Sequence, residues 1–309
     1  MFHARRLADH GVVSTTLSLL SDRQVRALVE DTPVVRSGIG GTAMALEVDG
    51  VRVFAKRIPL TELERRPENA LSTANLFALP TFYQYGLGSA GFGVWRELAA
   101  HVMTTDWVLG GQCANFPLLH HWRVVDGPPA TAREHDDLEG SVAYWNGSPA
   151  VRARLEAIKE APASVVLFLE HFPYNLAEWL ALGNDVAPVV RGLEDCTSFL
   201  RANGMVHFDA HPGNVLADEH GVYLTDFGLA TSSRFALSEA ELGFLEQHLD
   251  FDTCHAMAFL LDHVADPPAE LLRYAPVTAV LKAFYQRQRD DKATPYPETE
   301  ISRARPALT

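Results

Sequence analysis

Three cysteines in 309 residues, Cys113, Cys196 and Cys254, are too few, too far apart and odd in number for a disulfide framework or a CxxC-type zinc site. They read as buried or inert thiols, and a reducing, cytoplasmic location is expected. Positive charge is also short: 26 Lys and Arg stand against 39 Asp and Glu, a formal net charge of −13. An acidic surface of that size repels phosphate backbones, so neither nucleic acid nor an anionic membrane is an expected partner. No stretch approaches the roughly eighteen apolar residues that read as a membrane span. The N-terminal run is interrupted by Asp9, His10, Ser14, Thr15 and Thr16 and shows no small-residue cleavage site. Apolar residues, by contrast, make up 47% of the chain, which allows a substantial core and argues against global disorder.

Ser21 with Gln24 three positions on forms a capping box ahead of Val25 and Leu28, so residues 1–33 are expected to form a helical extension. From 34 to 58 the pattern turns to strand, with β-rich runs at 43–48 and 51–58 flanking Asp49-Gly50, a strong hairpin signal. Residues 59–93 are mixed and end in a run of glycines, Gly86, Gly88, Gly91 and Gly93. Residues 94–109 read as a helix with Trp95, Leu98, Val102 and Met103 on one face, and 116–125 as a strand. The polar stretch 126–148, with Pro128 and Pro129, reads as an exposed insertion. A short apolar strand at 165–169 leads into Glu170-His171-Phe172. Helical patterns then dominate, at 176–182, 186–202, 239–248 (behind Ser238 and Glu241) and 253–264. Residues 289–309, with Pro295, Pro297 and Pro306, read as a frayed tail.

Three motifs carry chemistry. Ser37-Gly38-Ile39-Gly40-Gly41-Thr42-Ala43 lies between two strands, where glycines let backbone N–H groups approach an anion. It opens no helix, so it is neither a Rossmann nor a Walker loop. Val53-Phe54-Ala55-Lys56 sets a lysine in an apolar strand, either buried and paired or reaching solvent at a strand edge. The third runs Val206-His207-Phe208-Asp209-Ala210-His211-Pro212-Gly213-Asn214, followed by Asp226-Phe227-Gly228 twelve residues beyond Asn214. Across a strand–turn–strand, Asp209, Asn214 and Asp226 can converge oxygen ligands on hard cations.

In content and order these motifs resemble the protein kinase-like superfamily over about residues 34–265. The resemblance implies an α+β, two-lobed fold, with an antiparallel-sheet N-lobe over 34–170, carrying insertions near 59–93 and 126–164, and a helical C-lobe over 171–288. Phe208 stands where protein kinases usually carry arginine in their HRD motif, and His211 where they carry lysine. His-x-Asp-x-His-Pro-Gly-Asn is closer to the aminoglycoside phosphotransferases. No Ala-Pro-Glu signature follows Gly228, so the long activation segment of typical protein kinases is absent or much shortened. The hinge and the stretch leading to His207 still read like Ser/Thr protein kinases, and the chain resembles an atypical bacterial kinase between the two groups.

The resemblance implies ATP as phosphoryl donor and Mg2+ as cofactor. Asp209 would accept the proton of the acceptor hydroxyl, Asn214 and Asp226 would hold the metal, and Lys56 would pair the α- and β-phosphates. Gly38, Gly40 and Gly41 would cover the phosphates, and backbone groups of Glu170 to Phe172 would meet adenine. Glu62, Glu64 and Glu68 are too near Lys56 for a helix to intervene, which leaves Glu97 as its carboxylate partner. Asp252 reads either as a helix N-cap or as an aspartate buried against the catalytic loop. His207, Asp209 and His211 could form a zinc cluster, a weaker reading for want of a second histidine cluster. The acceptor is a hydroxyl of a small molecule or of a protein Ser/Thr. A pseudokinase, a nucleotide-binding interaction module and a kinase-fold nucleotidyl transferase remain alternatives. Oligomeric state is not legible.

Overall fold

The computed structural model describes residues 2–38, 40–86, 88–129 and 137–306. The chain divides into two units, Met1–Pro80 with Leu87–His171, and Thr81–Gly86 with Phe172–Thr309.

Helices α1 (Phe2–Leu19) and α2 (Asp22–Asp31) open the first unit. The Ser21 hydroxyl accepts from Gln24 N while Gln24 Oε1 accepts from Ser21 N, a capping box that starts α2. Strands β1 (Val34–Gly38), β2 (Gly41–Val48) and β3 (Val51–Leu60) follow as a meander. Asp49 and Gly50 take φ of 48° and 79° between the paired Val48 and Val51, the positive values that tight hairpins need. Helices α3 (Glu62–Arg65) and α4 (Val94–Leu109), strand β4 (Leu119–Asp126), helices α5 (Leu138–Tyr144) and α6 (Pro149–Lys159), and strand β5 (Ala163–Glu170) complete the unit. The sheet order is β1-β2-β3-β5-β4 and every pair is antiparallel.

Alternation along β3 sends Val53 and Ala55 to one face and Phe54, Lys56, Ile58 and Leu60 to the other. On the first face Val13 and Leu17 of α1 and Val25 and Val29 of α2 pack against Met44, Val48, Val166 and Phe168. On the second, Val94, Trp95 and Leu98 of α4 pack against Leu119, Val165 and Leu167. A fully buried Val or Leu contributes about 1.5–3 kcal/mol, so α1 and α2 are a structural cover of the sheet rather than an appendage. β4 starts at Leu119 and not at 116, because Pro117 has no N–H for a ladder. Residues 130–136 of the expected insertion lie outside the described residues. The rest is built: Ser148 caps α6, Pro149 occupies its first turn, and Trp145 is 2% exposed.

The second unit holds β6 (Tyr174–Asn175), α7 (Leu176–Ala181), α8 (Ala187–Ala202), β7 (Met205–Val206), β8 (Val215–Asp218), β9 (Gly221–Leu224) and β10 (Thr231–Ser232). It continues with α9 (Glu239–Gln247), α10 (Phe251–His263), α11 (Ala269–Leu272), α12 (Ala275–Asp290) and α13 (Glu298–Ala304). Strands β6, β8 and β9 form a small antiparallel sheet, and β7 pairs with β10. α10 packs against both α8 and α12. The Thr81–Gly86 stretch belongs here because Tyr85 sits in a core with Val206, Phe208, Leu245, Phe251 and Phe284. The expected frayed tail is corrected up to residue 306. Ile301 of α13 is 2% exposed, α13 packs on α12, and Arg305 pairs with Asp250 at 2.6 Å. No helix among the described residues is long and apolar enough to cross a membrane. The fold is thus mixed, an antiparallel sheet unit and a mainly helical unit.

Candidate active site

In the sheet unit, the second face of β3 carries Lys56 toward α4. A buried ammonium needs an anionic partner, and Lys56 Nζ lies 2.6 Å from Glu97 Oε1. Lys56 is 8% exposed and Glu97 3%. The strand-edge reading of Lys56 is therefore set aside. The β1–β2 turn closes on the Gly38–Gly41 pair, and its residue Ile39 lies outside the described residues. A Cβ on Gly40 would lie 3.3 Å from Lys56 Nζ. Gly41, at φ +117°, has Arg57 O only 2.2 Å from where its Cβ would stand. Both glycines thus let the turn lie against β3 beside the lysine.

Glu170, the last residue of β5, faces inward. Arg6 of α1 grips its carboxylate with Nε to Oε1 and Nη2 to Oε2, both at 2.7 Å, and also donates to Ala114 O and Phe116 O. Leu118 N donates to Oε2, and Glu170 N donates to Leu118 O. The carboxylate and the N–H of Glu170 are thus committed within the sheet unit, which removes its N–H from the expected adenine edge. Phe172 opens the second unit and stacks on Tyr223, with ring centroids 4.0 Å apart.

In the helical unit, the loop after β7 is held from below by α10. Asp252 accepts from His207 N at 2.6 Å and Phe208 N at 2.9 Å. Of its two readings the buried one holds, since Asp250 occupies the N-cap position of α10 and Asp252 is 3% exposed. Burial pushes the Asp252 carboxyl up to about 7, against the two N–H groups that favour the anion. Phe208 is fully buried with φ 66°, a left-handed conformation that turns the chain before Asp209.

His207 Nδ1 accepts from Asp209 N at 3.2 Å, so Nε2 carries the proton and donates to Thr225 O at 2.8 Å. With both ring nitrogens engaged, His207 is no zinc ligand. Among the described residues no group of three or more His, Cys, Asp and Glu is placed to hold a metal ion. Asn214 Nδ2 donates to Asp209 Oδ2 at 2.8 Å and to Asp209 O at 3.2 Å. A carboxylate only accepts, so the amide orientation is fixed and Asn214 Oδ1 points elsewhere. His211 Nδ1 accepts from Gly213 N, and its Nε2 stands 3.8 Å from Asp209 Oδ2. Thr225 N donates to Asn214 O at 3.0 Å across the open end of the β8–β9 hairpin. Asp226 is the next residue, in a left-handed conformation with φ 64°. The hairpin thus brings Asp226 beside the Asp209–Asn214 pair in the chain's layout.

Two neighbours of this loop escaped the sequence reading. A Cβ on Gly86 would lie 3.2 Å from Asp209 Oδ1, and Gln84 Nε2 donates to Leu229 O. Gly86 was visible only as one of four clustered glycines, and nothing in the sequence marked Gln84. Arg6 was likewise silent, since its partner lies 164 residues away.

Over 71 residues the sequence is 37% identical to a probable cell division protein kinase of Encephalitozoon cuniculi, a stretch covering 21% of this chain and 23% of that protein. The chain therefore matches less than a quarter of that relative's length. No protein-family model matches the chain. The likeness is kinase-like at the level of a superfamily and does not extend to a substrate.

Proposed function

We propose that the protein is an ATP-dependent phosphotransferase acting on a hydroxyl acceptor. The observation that carries this reading is the Asp209–Asn214 hydrogen bond at the mouth of the β8–β9 hairpin. It orients a half-exposed carboxylate as a proton acceptor and leaves an amide oxygen for a cation. Asn214 Oδ1 and the Asp226 carboxylate are hard oxygen donors of the kind Mg2+ takes. Bound there, the ion would neutralise charge on the nucleotide phosphates. Lys56, fixed by Glu97, supplies a cation for the α- and β-phosphates, and the Gly38–Gly41 turn beside its Nζ offers backbone N–H groups. Asp209 would take the acceptor proton as the hydroxyl oxygen bonds the γ-phosphorus and the bond from that phosphorus to the β–γ bridging oxygen breaks, releasing ADP, a proton transfer worth about 10²–10⁴ in rate.

The test is incubation of the chain with γ-labelled ATP and Mg2+, alone and with panels of hydroxylated small molecules and Ser/Thr peptides. Label moving to an acceptor, the protein itself or water supports transfer. Binding of Mg-ATP with no turnover in any arm would instead make the chain a nucleotide-binding module.

A further inference from the structure

The insertion between β3 and α4 includes a segment, Thr81–Gly86, that belongs to the helical unit and touches Asp209 and the turn after Asp226 there. Gly86 abuts Asp209 Oδ1 so closely that one added methyl would press on it at 3.2 Å. Gln84, 3% exposed, donates its side-chain N–H to Leu229 O, in the 3₁₀ turn Phe227–Leu229 that immediately follows Asp226. Between them Tyr85 is anchored from below. Its hydroxyl bonds His248 Nε2 at 2.6 Å, and its ring makes edge contacts with Phe208, Phe244 and Phe284.

Burial holds the His248 pKa at about 4, so the imidazole is neutral at physiological pH and does not loosen this anchor. The segment is thus anchored next to Asp209 and the turn after Asp226.

No Ala-Pro-Glu signature follows Gly228, and the activation segments that such a signature closes are ordered on phosphorylation through new arginine–phosphate pairs. Here the residue before Asp209 is Phe208, apolar and fully buried, and its neighbour is Tyr85. We infer that Thr81–Gly86 is a built-in brace. Gln84 and Gly86 are positioning residues that hold the Asp226 turn and Asp209 in working geometry without any phosphorylation. This inference rests on the phosphotransferase reading above.

The experiment measures Mg-ATP hydrolysis and binding of a fluorescent ATP analogue in wild type, Gly86→Ala and Gln84→Met, with thermal melting of each. Gly86→Ala asks Asp209 Oδ1 to give by only a few tenths of an ångström, a fraction of the ~1 Å displacement that costs on the order of 10²-fold. It is therefore expected to lose several-fold to about tenfold in kcat while nucleotide affinity stays within about twofold, a split that general loosening would not give. Gln84→Met, close in shape but without the donor, is expected to weaken Mg2+-dependent nucleotide binding and, by taking the donor from Leu229 O, to lower the melting temperature by a few degrees at most while the chain stays folded. It serves as the decisive variant if Gly86→Ala fails to fold. Phosphatase-treated wild type, unphosphorylated by mass spectrometry, should keep its full rate. Wild-type kinetics in both folded variants, or loss of rate on phosphatase treatment, overturns the brace and leaves the phosphotransferase reading standing. A wild type that neither binds nor hydrolyses Mg-ATP overturns both.

Discussion

At the scale of single residues, Asp209→Asn is the sharpest test of the loop after β7. The variant should lose about 10²–10⁴ in transfer rate while nucleotide affinity, read by equilibrium binding, stays nearly constant. The Lys56–Glu97 pair makes a separate prediction about stability. Lys56→Met leaves a carboxylate 3% exposed without its cation, a loss of about 3–5 kcal/mol in urea titrations. Adding Glu97→Leu should recover much of it, because the stranded charge is gone. Asp252 gives a pH signature. Its folded carboxyl keeps the proton up to about pH 7, whereas the unfolded one releases it near 3.8. Its contribution to stability therefore falls as pH rises from 4 to 7 and is level above that. The melting temperature of wild type relative to Asp252→Asn should trace that slope. Lys56, Asp209, Asn214 and Asp226 stood out as candidates because short motifs fix their order. Glu97 was reached by discarding nearer glutamates. Gln84 and Arg6 were not legible, since a hydrogen bond spanning 145 or 164 residues leaves no local pattern.

At the scale of elements, the β1–β2 turn depends on Gly41. A methyl there would meet a backbone oxygen, Arg57 O, at 2.2 Å, in a φ that L-residues rarely adopt. Gly41→Ala is expected to destabilise the sheet unit by several times the effect of Gly38→Ala, whose Cβ would meet nothing within 4 Å. Hydrogen exchange of the β1 and β2 amides would show it directly. The helices and strands that the sequence announced were those with strong local signals, such as the Asp49-Gly50 hairpin and the Ser21 and Ser238 boxes. Those it hid carry mixed signals. α6, for one, lies behind a polar stretch. The prolines that suggested a tail include Pro297, which stands at the N-cap of α13 and suits a helix start.

At the scale of the whole molecule, buried histidines set the response to acid. Burial lowers His120 and His255 to about 3 and His248 to about 4, so each folds neutral and takes up a proton only on unfolding. The unfolded chain binds these protons below about pH 6.5. Stability therefore falls as pH drops from 6.5 toward 4, by about 2 kcal/mol per histidine at pH 5. His120 belongs to the sheet unit and the other two to the helical unit, so both should melt earlier at pH 5 than at pH 7 by calorimetry. Three such groups outweigh the opposite slope of Asp252. The grip of Arg6 on Glu170 and the packing of α1 and α2 on the sheet also bear on how the protein can be cut. A fragment starting at Val34, where the strand pattern begins, would lose the guanidinium that neutralises Glu170. It would also expose Met44, Val48, Val53 and Phe168 to water as one oily sheet face. Such a fragment would clump in solution, and the opening thirty-three residues act in effect as the protein's own solubilising partner.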